Sequence, residues 1–324
     1  MTRCGALLLA LLAISFSIGG EALPQTPERI YRLGVLSMSP GTLQRLRTVM
    51  FPELARLGFT EGRNFIVETR FGPVEELPTL ARQLTAANPD AIIAAGNAID
   101  AAQQATSTIA IIGAFIGEDP IAAGFAASLA HPGGNVTGVV MLARELEGKR
   151  LQLLHEAVPG GSRIAALAVS PDQHASTFAA MRPVASHEGL TLLPFYAAVP
   201  EDYPSTFAAM RGAGASALQI LSAPQFFTNA STLAELALKA RLPTMCEWRS
   251  MAAQGCLLGY GPDYTELQRR VADHVARILR GAAPGDLPIE QPTHYEFAVN
   301  MKTAAALGLT VPPAILARAD EVIE

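Results

Sequence analysis

The sequence predicts an α/β protein made of two domains, each built on a parallel β-sheet. From residue 31 onward, short apolar runs alternate with longer segments whose apolar residues recur at helical spacing. The runs are apolar almost without interruption, which is typical of strands covered by helices on both faces. The chain has 324 residues, of which 50% are hydrophobic and 16% charged, so it is long enough to bury two cores.

In the first half, five apolar runs predict strands and the segments between them predict helices. The strands are YRLGVLS (31–37), NFIVETRF (64–71), DAIIAAG (90–96), TIAIIGAF (108–115) and VTGVVM (136–141). The helices are residues 42–58, 74–88, 98–106 and 119–130. The first of them ends at Gly58, because glycine is a common helix stop.

The second half restarts the alternation after a helix at residues 141–159. Its predicted strands are RIAALAVS (163–170), LTLLPFYA (190–197), ALQILSA (217–223), LPTMCEW (242–248) and CLLGYG (256–261). The heptapeptide STFAAMR occurs twice, at 176–182 and 205–211, and we interpret it as helix packing and not as a duplicated site. A long amphipathic helix (263–281), an extended segment (287–300), a short helix (301–309) and a turn with a last short helix (310–324) complete the chain.

The N-terminus predicts a secretory signal peptide over residues 1–22. Its apolar run from Ala6 to Ile18 is shorter than the roughly 20 residues that a membrane span needs. Gly20 and Ala22 supply the small residues of a cleavage site after Ala22. An uncleaved anchor is the alternative. We expect an exported, periplasmic protein with no stable membrane insertion after cleavage.

Charge and cysteine content exclude several classes of partner. The net charge of −5 is scattered along the chain and no basic block favours nucleic acid. After signal cleavage, Cys246 and Cys256 remain, on consecutive predicted strands; we expect two half-buried free thiols, with a disulfide as the alternative. Neither cysteine has a zinc-type partner nearby, so no metal is expected. We expect no cofactor.

An enzyme is not favoured by the sequence. A catalytic site needs a nucleophile with a base, or metal ligands. The six histidines are well separated, and neither HExxH nor G-x-S-x-G occurs. The glycine-rich stretch SLAHPGGNVTGV (128–139) lies between a predicted helix and a strand, the reverse of a dinucleotide loop, so we interpret it as a turn without a phosphate.

The same stretch belongs to one of several segments that resemble a known protein family. EDPIAAGFAASLAHPGGNVTGV, ELEGKRLQLLHEAVP, LGYGPDYTELQRR and the C-terminal DLPIEQPTHYEFAVNMKTAAALGLTVPPAILARADEVIE resemble ABC-transporter substrate-binding proteins, some of which are associated with aromatic amino acids. The resemblance covers about residues 30–324. It implies the type I periplasmic binding fold: two Rossmann-like domains joined by a multi-segment hinge.

That fold implies domains that exchange chain segments. We expect an N-terminal lobe of residues 30–140 plus 262–284 and a C-terminal lobe of 141–261 plus 285–324, with hinges near Met141, Gly261 and Pro284. The implied partners are a small-molecule ligand and a membrane permease, and the protein is expected to be a monomer. Ligand identity does not carry over, because Gly96-Asn97-Ala98 replaces a frequent Gly-Thr-Pro and Gly259 replaces a frequent serine.

Candidate binding residues follow from the rule that ligands bind beyond the carboxyl ends of parallel strands, here between two domains. The candidates are Ser37, Met38, Ser39, Gly96, Asn97, Ala98, Phe115, Asp119, Pro120, Ser170, Ser222, Phe226, Glu247, Trp248 and Tyr260. The serines at 37, 39 and 170, together with Asn97, suit a carboxylate, and Asp119, Glu247 or the neighbouring Glu118 suits an ammonium. The four aromatic candidates suit an apolar or aromatic side chain.

Most candidates also have a structural interpretation. The alternative roles are a helix cap for Asp119, a solvated neighbour for Glu118, a surface acid for Glu247, a core residue for Trp248 and a strand-end cap for Ser222. Phe227 is expected in the core, with Phe226 facing the cleft. The sequence predicts an extracytoplasmic solute-binding protein for an amino acid or related carboxylate, with a ligand-sensing module or an exported enzyme as alternatives.

Overall fold

The computed structural model describes residues 29–324, so the predicted signal peptide (1–22) lies outside it. The first lobe contains strands β1 (Tyr31–Ser37), β2 (Phe65–Phe71), β3 (Ala91–Ala94), β4 (Ala110–Ile116) and β5 (Val136–Val140). Its helices are α1 (Gly41–Thr48), α2 (Met50–Arg56), α3 (Leu77–Ala86) and α4 (Asn97–Ala105). The sheet is parallel, with strand order β2-β1-β3-β4-β5. This sheet confirms the parallel α/β architecture that was predicted for the first half of the chain.

The second lobe contains the remaining strands. They are β6 (Arg163–Ala168), β7 (Thr191–Tyr196), β8 (Ala217–Ile220), β9 (Thr244–Cys246), β10 (Leu258–Pro262), β11 (Tyr295–Asn300) and β12 (Glu321–Ile323). They form one sheet in the order β12-β11-β10-β9-β8-β6-β7. Only β10 and β11 pair antiparallel in this sheet.

The helices after β5 pack on one or other of these sheets. They are α5 (Ala143–Ala157), α6 (Pro171–His187), α7 (Tyr203–Gly212), α8 (Pro224–Thr228), α9 (Ala230–Ala240), α10 (Arg249–Ala253), α11 (Tyr264–Leu279), α12 (Met301–Leu307) and α13 (Pro313–Leu316). In α11, Leu267, Val271 and Val275 form a fully buried stripe. The helix packs on α2, β3, β4 and β5, so it belongs to the first lobe although it follows β10.

The chain passes between the lobes three times. It crosses at residues 141–142, again at Asp263 between β10 and α11, and last in the segment before β11. The last crossing comes after Glu290 and not near Pro284, because Val140 donates its N–H to the Glu290 carbonyl at 2.9 Å. The hydroxyl of Thr137 also donates to the Leu287 carbonyl at 2.8 Å, which holds this segment against β5.

Three predicted elements differ from the structure. Residues 119–130 form turns and not a helix, because Gly124 takes a φ of +78° that ends the first turn. The predicted helix 42–58 is two helices, since Val49 leaves helical geometry with φ −124°. The C-terminal residues Glu321–Ile323 extend and pair with β11, where only a turn and a helix were expected.

The glycine-rich stretch SLAHPGGNVTGV brings backbones close together. Gly138 has a φ of +133°, and a Cβ atom there would lie 2.1 Å from the carbonyl oxygen of Gly113 on β4. Gly133 donates its N–H to the Gly285 carbonyl at 3.1 Å. The stretch therefore serves close strand packing and anchors the segment that follows α11.

The two cysteines are joined in the structure. Cys246 ends β9 and Cys256 precedes β10, with their Cα atoms 6.3 Å apart and a disulfide between them. Both are fully buried. The expectation of two half-buried free thiols was therefore wrong, since adjacent strands bring the side chains within bonding reach.

Candidate functional site

A cavity of about 380 Å³ lies between the lobes, at the carboxyl ends of both parallel sheets. Strand-end residues of both lobes line it, among them Ser37 after β1, Phe115 on β4, Ser222 after β8 and Glu247 after β9. The helices that follow these strands supply the rest of the wall. The cavity therefore has the position expected for a ligand site in a two-lobed α/β protein.

The cavity contains about half of the predicted candidates. Those that line it are Ser37, Met38, Gly96, Asn97, Phe115, Ser222, Glu247 and Trp248, and Glu118 lines it as well. Those that do not are Ser39, Ala98, Asp119, Pro120, Ser170, Phe226 and Tyr260.

The candidates outside the cavity have structural roles. Ala98 is fully buried in the core of the first lobe, where Pro120 is buried too. Asp119 accepts the backbone N–H of Ile121 at 2.9 Å and so caps the turn that follows. Ser170 caps α6 by accepting the N–H of Gln173 at 3.3 Å. Asp119 and Ser170 therefore satisfy backbone donors near strand ends, which is the alternative role of such side chains.

Two of the aromatic candidates, Phe226 and Tyr260, do not line the cavity, and Phe227 lines it in place of Phe226. Phe226 is 1% exposed and packs on Tyr203 in the core, whereas Phe227 lines the cavity, the reverse of the expectation. The prediction failed because Phe226 and Phe227 both lie in the short α8, where adjacent side chains point to different faces of the helix. The sequence does not show which of the two faces the core. Tyr260 stacks on Tyr295 at 6.2 Å, away from the cavity.

Four aromatic rings form one wall of the cavity, and we call them the aromatic cluster: Phe115 and Tyr264 from the first lobe, Phe227 and Trp248 from the second. Phe115 stacks on Tyr264 with centroids 5.3 Å apart. Trp248 meets Tyr264 edge-on at 5.3 Å, and Phe227 lies 5.4 Å from Tyr264. The cluster therefore joins the lobes and offers ring faces to a ligand.

The backbone at Phe115 is held in an unusual conformation. Its φ is +62°, a left-handed region that bulky residues rarely adopt, and the pairing of β4 with β5 shifts register at this point. The bulge turns the Phe115 ring out of the strand pattern and into the aromatic cluster. Strain of this kind is common at functional sites.

A buried acid–base network lies beneath the opposite wall. Glu147 accepts from the Arg150 guanidinium at 3.0 Å, from the backbone N–H of Ser222 at 3.0 Å and from the Gln219 amide at 2.6 Å. The hydroxyl of Ser222 donates to the Glu247 carboxyl. Arg150 is fully buried and also donates to the Tyr260 carbonyl at 2.7 Å. Every charge in the network has a hydrogen-bonded partner, as buried charges require.

Burial perturbs several acids around the cavity. Desolvation raises the pKa of Glu247 to about 7, and the nearby positive charge of Arg150 only partly offsets this effect. Burial also raises the pKa values of Asp100 and Glu118. The negative charge of Asp100 raises the pKa of Glu118 further, and the positive charge of Arg144 partly lowers it. Clustered acids with raised pKa values in a cleft are typical of functional sites.

The lobes touch each other beside the cavity. Arg45 on α1 donates to the hydroxyl of Thr228 on α8 at 2.9 Å. Its guanidinium carbon lies 5.5 Å from the centroid of the Phe227 ring. Ser39 is 3.4 Å from Thr228, oxygen to oxygen. Together with the aromatic cluster, these contacts connect the two lobes beside the cavity.

Sequence reasoning missed the cavity residues that project from helices. They are Thr42, Arg45, Asp100, Arg144, Glu147, Gln173, His174, Thr177, Tyr264 and Gln268. The rule that ligands bind beyond the carboxyl ends of parallel strands predicts only loop residues. The missed residues lie one or two helical turns after those loops. Polar residues in the first two turns after each strand would have been the useful signal, because such turns also face the cleft.

Two buried polar atoms at the cavity lack partners within residues 29–324. They are Oε1 of Gln268, on a side chain 1% exposed, and Nδ1 of His174, on a side chain 7% exposed. Burial lowers the pKa of His174, and the Ser222 and Ser170 carbonyls and the charge of Glu147 only partly offset this effect. Buried polar atoms are nearly always hydrogen-bonded in proteins, so both atoms are candidates for ligand contact.

The sequence profile of the family described as ABC transporter substrate binding protein matches residues 42–323. The chain belongs to this family. Its structure, two mostly parallel α/β sheets with a cavity between them, is the type I periplasmic binding fold. Substrate-binding proteins of this kind are solute receptors and not a class of enzymes. Among curated proteins, none matches this sequence.

Solved structures agree with the family. A conserved domain protein from Vibrio cholerae is 26% identical, with a TM-score of 0.80, and covers 90% of this chain and 99% of its own. The ABC domain of Streptococcus pneumoniae in complex with L-Trp is 25% identical, with a TM-score of 0.78 and the same coverage. A ligand-free, open substrate-binding protein from Clostridium difficile, 21% identical with a TM-score of 0.61, covers 90% and 99% and shares the fold.

No helix within residues 29–324 combines the length and the apolarity needed to cross a bilayer.

Proposed function

We propose that this substrate-binding protein binds an α-amino acid with an aromatic side chain in the cavity between its lobes. It delivers that ligand to the membrane permease of an ABC importer. The observation that carries the proposal is the aromatic cluster, with two rings from each lobe around a cavity of about 380 Å³. The 25% identical structure from Streptococcus pneumoniae, which holds L-Trp, supports the same ligand class.

The ligand carboxylate binds at the start of α4. Gly96 and Asn97 line the cavity there, and α4 has no side-chain cap on its first N–H groups. The positive end of the helix dipole favours an anion at this position, although the N–H groups of Ala98 and Ile99 already donate to the carbonyls of Ala95 and Gly96. Ser37 on the neighbouring strand end and the positive Arg45 line the same cavity and add to its affinity for a carboxylate.

The ligand ammonium binds beside Asp100 and Glu118. Both carboxylates line the cavity, and within the described residues neither forms an ion pair with a side chain closer than 4 Å. Asp100 lies in the first turn of α4, one turn from the proposed carboxylate site. The two sites are therefore as close together as the two charged groups on one α-carbon require.

Ligand binding favours the closed arrangement. The aromatic cluster, Arg45 and Thr228 join the lobes only when the cleft is shut, so a ligand that touches both lobes shifts the open–closed equilibrium towards closure. We further propose that the protein is exported by its N-terminal signal peptide, acts as a monomer outside the cytoplasmic membrane and divides into the lobes described above.

The fluorescence of the chain's single tryptophan tests this proposal. Trp248 lies in the aromatic cluster, so L-Phe or L-Tyr binding should change its emission, and both ligands should raise the melting temperature. Sugars should do neither. Tyr196, an exposed ring outside the cavity, gives the matched control: in melting-temperature measurements, which do not need the tryptophan, Tyr196→Ala should keep binding and Trp248→Ala should weaken it. If sugars alone stabilise the protein, the proposed ligand class is wrong.

A second test separates the two charged sites. Asp100→Asn should weaken binding of L-Phe, but not of phenylpropionate, which lacks the ammonium group. Calorimetric titration of both ligands into both proteins measures this difference. An equal loss for the two ligands would remove Asp100 from the ammonium site.

A further inference from the structure

Gln268 has a buried amide oxygen next to the aromatic cluster. The residue lies on α11, one helical turn after Tyr264, and its amide nitrogen donates to the Tyr264 hydroxyl at 3.0 Å. This hydrogen bond fixes the side chain at the end of the Tyr264 ring. The amide oxygen is left at the cavity wall with no hydrogen-bond partner among the described residues.

An unpaired acceptor of this kind has a definite chemical requirement. Burying an amide oxygen without a donor is unfavourable, so a ligand that supplies the donor gains affinity over one that does not. A carboxylate cannot supply it, because an ionised carboxylate only accepts hydrogen bonds. The donor must be an N–H or O–H group close to the rings of the cluster.

We propose that Gln268 selects aromatic ligands whose ring carries a hydrogen-bond donor, namely an indole N–H or a phenol O–H, over ligands with a plain phenyl ring. The inference rests on the proposed function, since it assigns the ring of the aromatic amino acid to the cluster. It adds a discrimination within that class which shape and apolar contact alone do not provide.

The other buried groups at the cavity do not take this role. The Glu247 carboxyl already accepts from the Ser222 hydroxyl in the second lobe. His174 lies in the same part of the second lobe, with its Nε2 atom 3.5 Å from the Ser222 carbonyl. Gln268 is therefore the unpaired acceptor that is held directly by a residue of the aromatic cluster.

The wild-type protein tests the proposal without any substitution. Calorimetric titration compares two matched pairs: L-Tyr with L-Phe, and L-Trp with 1-methyl-L-tryptophan. The donor-bearing member of each pair should bind about tenfold more tightly than its partner. Equal affinity within both pairs would overturn the role of Gln268, although aromatic amino acids as a class would remain the ligand.

Two substitutions then assign the preference to this residue. Gln268→Met keeps the length of the side chain but removes the acceptor, so it should bring the ratio of dissociation constants within each pair close to one. Gln268→Glu keeps an accepting oxygen and should retain the preference. Phe227→Leu is the control, because a general defect in the aromatic cluster weakens both members of a pair and leaves their ratio unchanged.

Each remaining outcome is decisive. A preference that persists in Gln268→Met would place the acceptor elsewhere and overturn the proposal. If none of the four ligands binds the wild-type protein, both this inference and the proposed ligand class fail. If the plain phenyl ring binds more tightly than the phenol, the inference fails alone.

Discussion

Replacing Glu247 with glutamine should stabilise the protein at alkaline pH. Glu247 is 4% exposed, and burial raises its pKa from 4.5 to about 7 despite the hydrogen bond from Ser222 and the charge of Arg150. At roughly 1.4 kcal/mol for each tenfold change in proton affinity, this corresponds to about 3 kcal/mol of destabilisation once the group is ionised. Glutamine is neutral at every pH and can still accept from the Ser222 hydroxyl.

The sign of the effect follows from proton binding. Between pH 4.5 and about 7, the folded protein holds a proton on Glu247 that the unfolded chain releases, so stability falls as the pH rises through this range. Below pH 4.5 the group is protonated in both states and costs nothing. The advantage of Glu247→Gln should therefore be close to zero at pH 4.5 and reach about 3 kcal/mol at pH 8.

Urea denaturation without ligand at pH 4.5 and at pH 8 measures this difference. Subtracting the wild-type curve from that of the variant removes the contribution of titrating groups that do not interact with Glu247. A variant that is less stable than the wild type at both pH values, or a difference that does not change with pH, would refute the raised pKa.

Three other changes test separate features of the fold and site. Changing Cys246 and Cys256 together to serine should cost about 3 kcal/mol in urea denaturation, because the disulfide closes a loop of sequence separation 10; unchanged stability would mean that the bridge does not form. Gly138→Ala should greatly lower the melting temperature, since its methyl group would lie 2.1 Å from a backbone oxygen on β4, and a normal melting temperature would contradict that packing. Phe226→Ala should cost about 3–5 kcal/mol of stability, whereas Phe227→Ala should mainly weaken ligand binding measured by calorimetry; the opposite result would return Phe226 to the cleft.

The sequence predicted the sheets well because buried parallel strands leave a strong signal. Runs such as YRLGVLS and DAIIAAG are largely apolar on both faces, which is typical of strands covered by helices on both sides. The position of the cleft followed from the same signal, since strand direction decides which loops meet. Ser37, Asn97, Phe115 and Glu247 reached the cavity for this reason.

Other features depend on contacts that no local pattern encodes. Residues 119–130 have helical composition, but the backbone there is needed for turns, and Asp119 caps one of them. Phe226 and Phe227 are adjacent and chemically identical, and only tertiary packing tells them apart. In the sequence, Arg45 and Gln268 look like ordinary surface residues of amphipathic helices, but in the structure Arg45 contacts Thr228 of the second lobe and Gln268 is 1% exposed.

The contacts that would close the two lobes include the residues proposed to select the ligand. Three ring pairs join the lobes, Phe115 with Trp248, Trp248 with Tyr264 and Phe227 with Tyr264, and each contributes about 0.5–1.5 kcal/mol. In the closure proposed above, forming these pairs would also remove water from the free atoms of Gln268 and His174, at about 1–3 kcal/mol each. A ligand ring that donates to Gln268 removes the cost of burying its amide oxygen. The contact that distinguishes a phenol from a phenyl group would therefore also favour the closed form of the protein that a permease would receive.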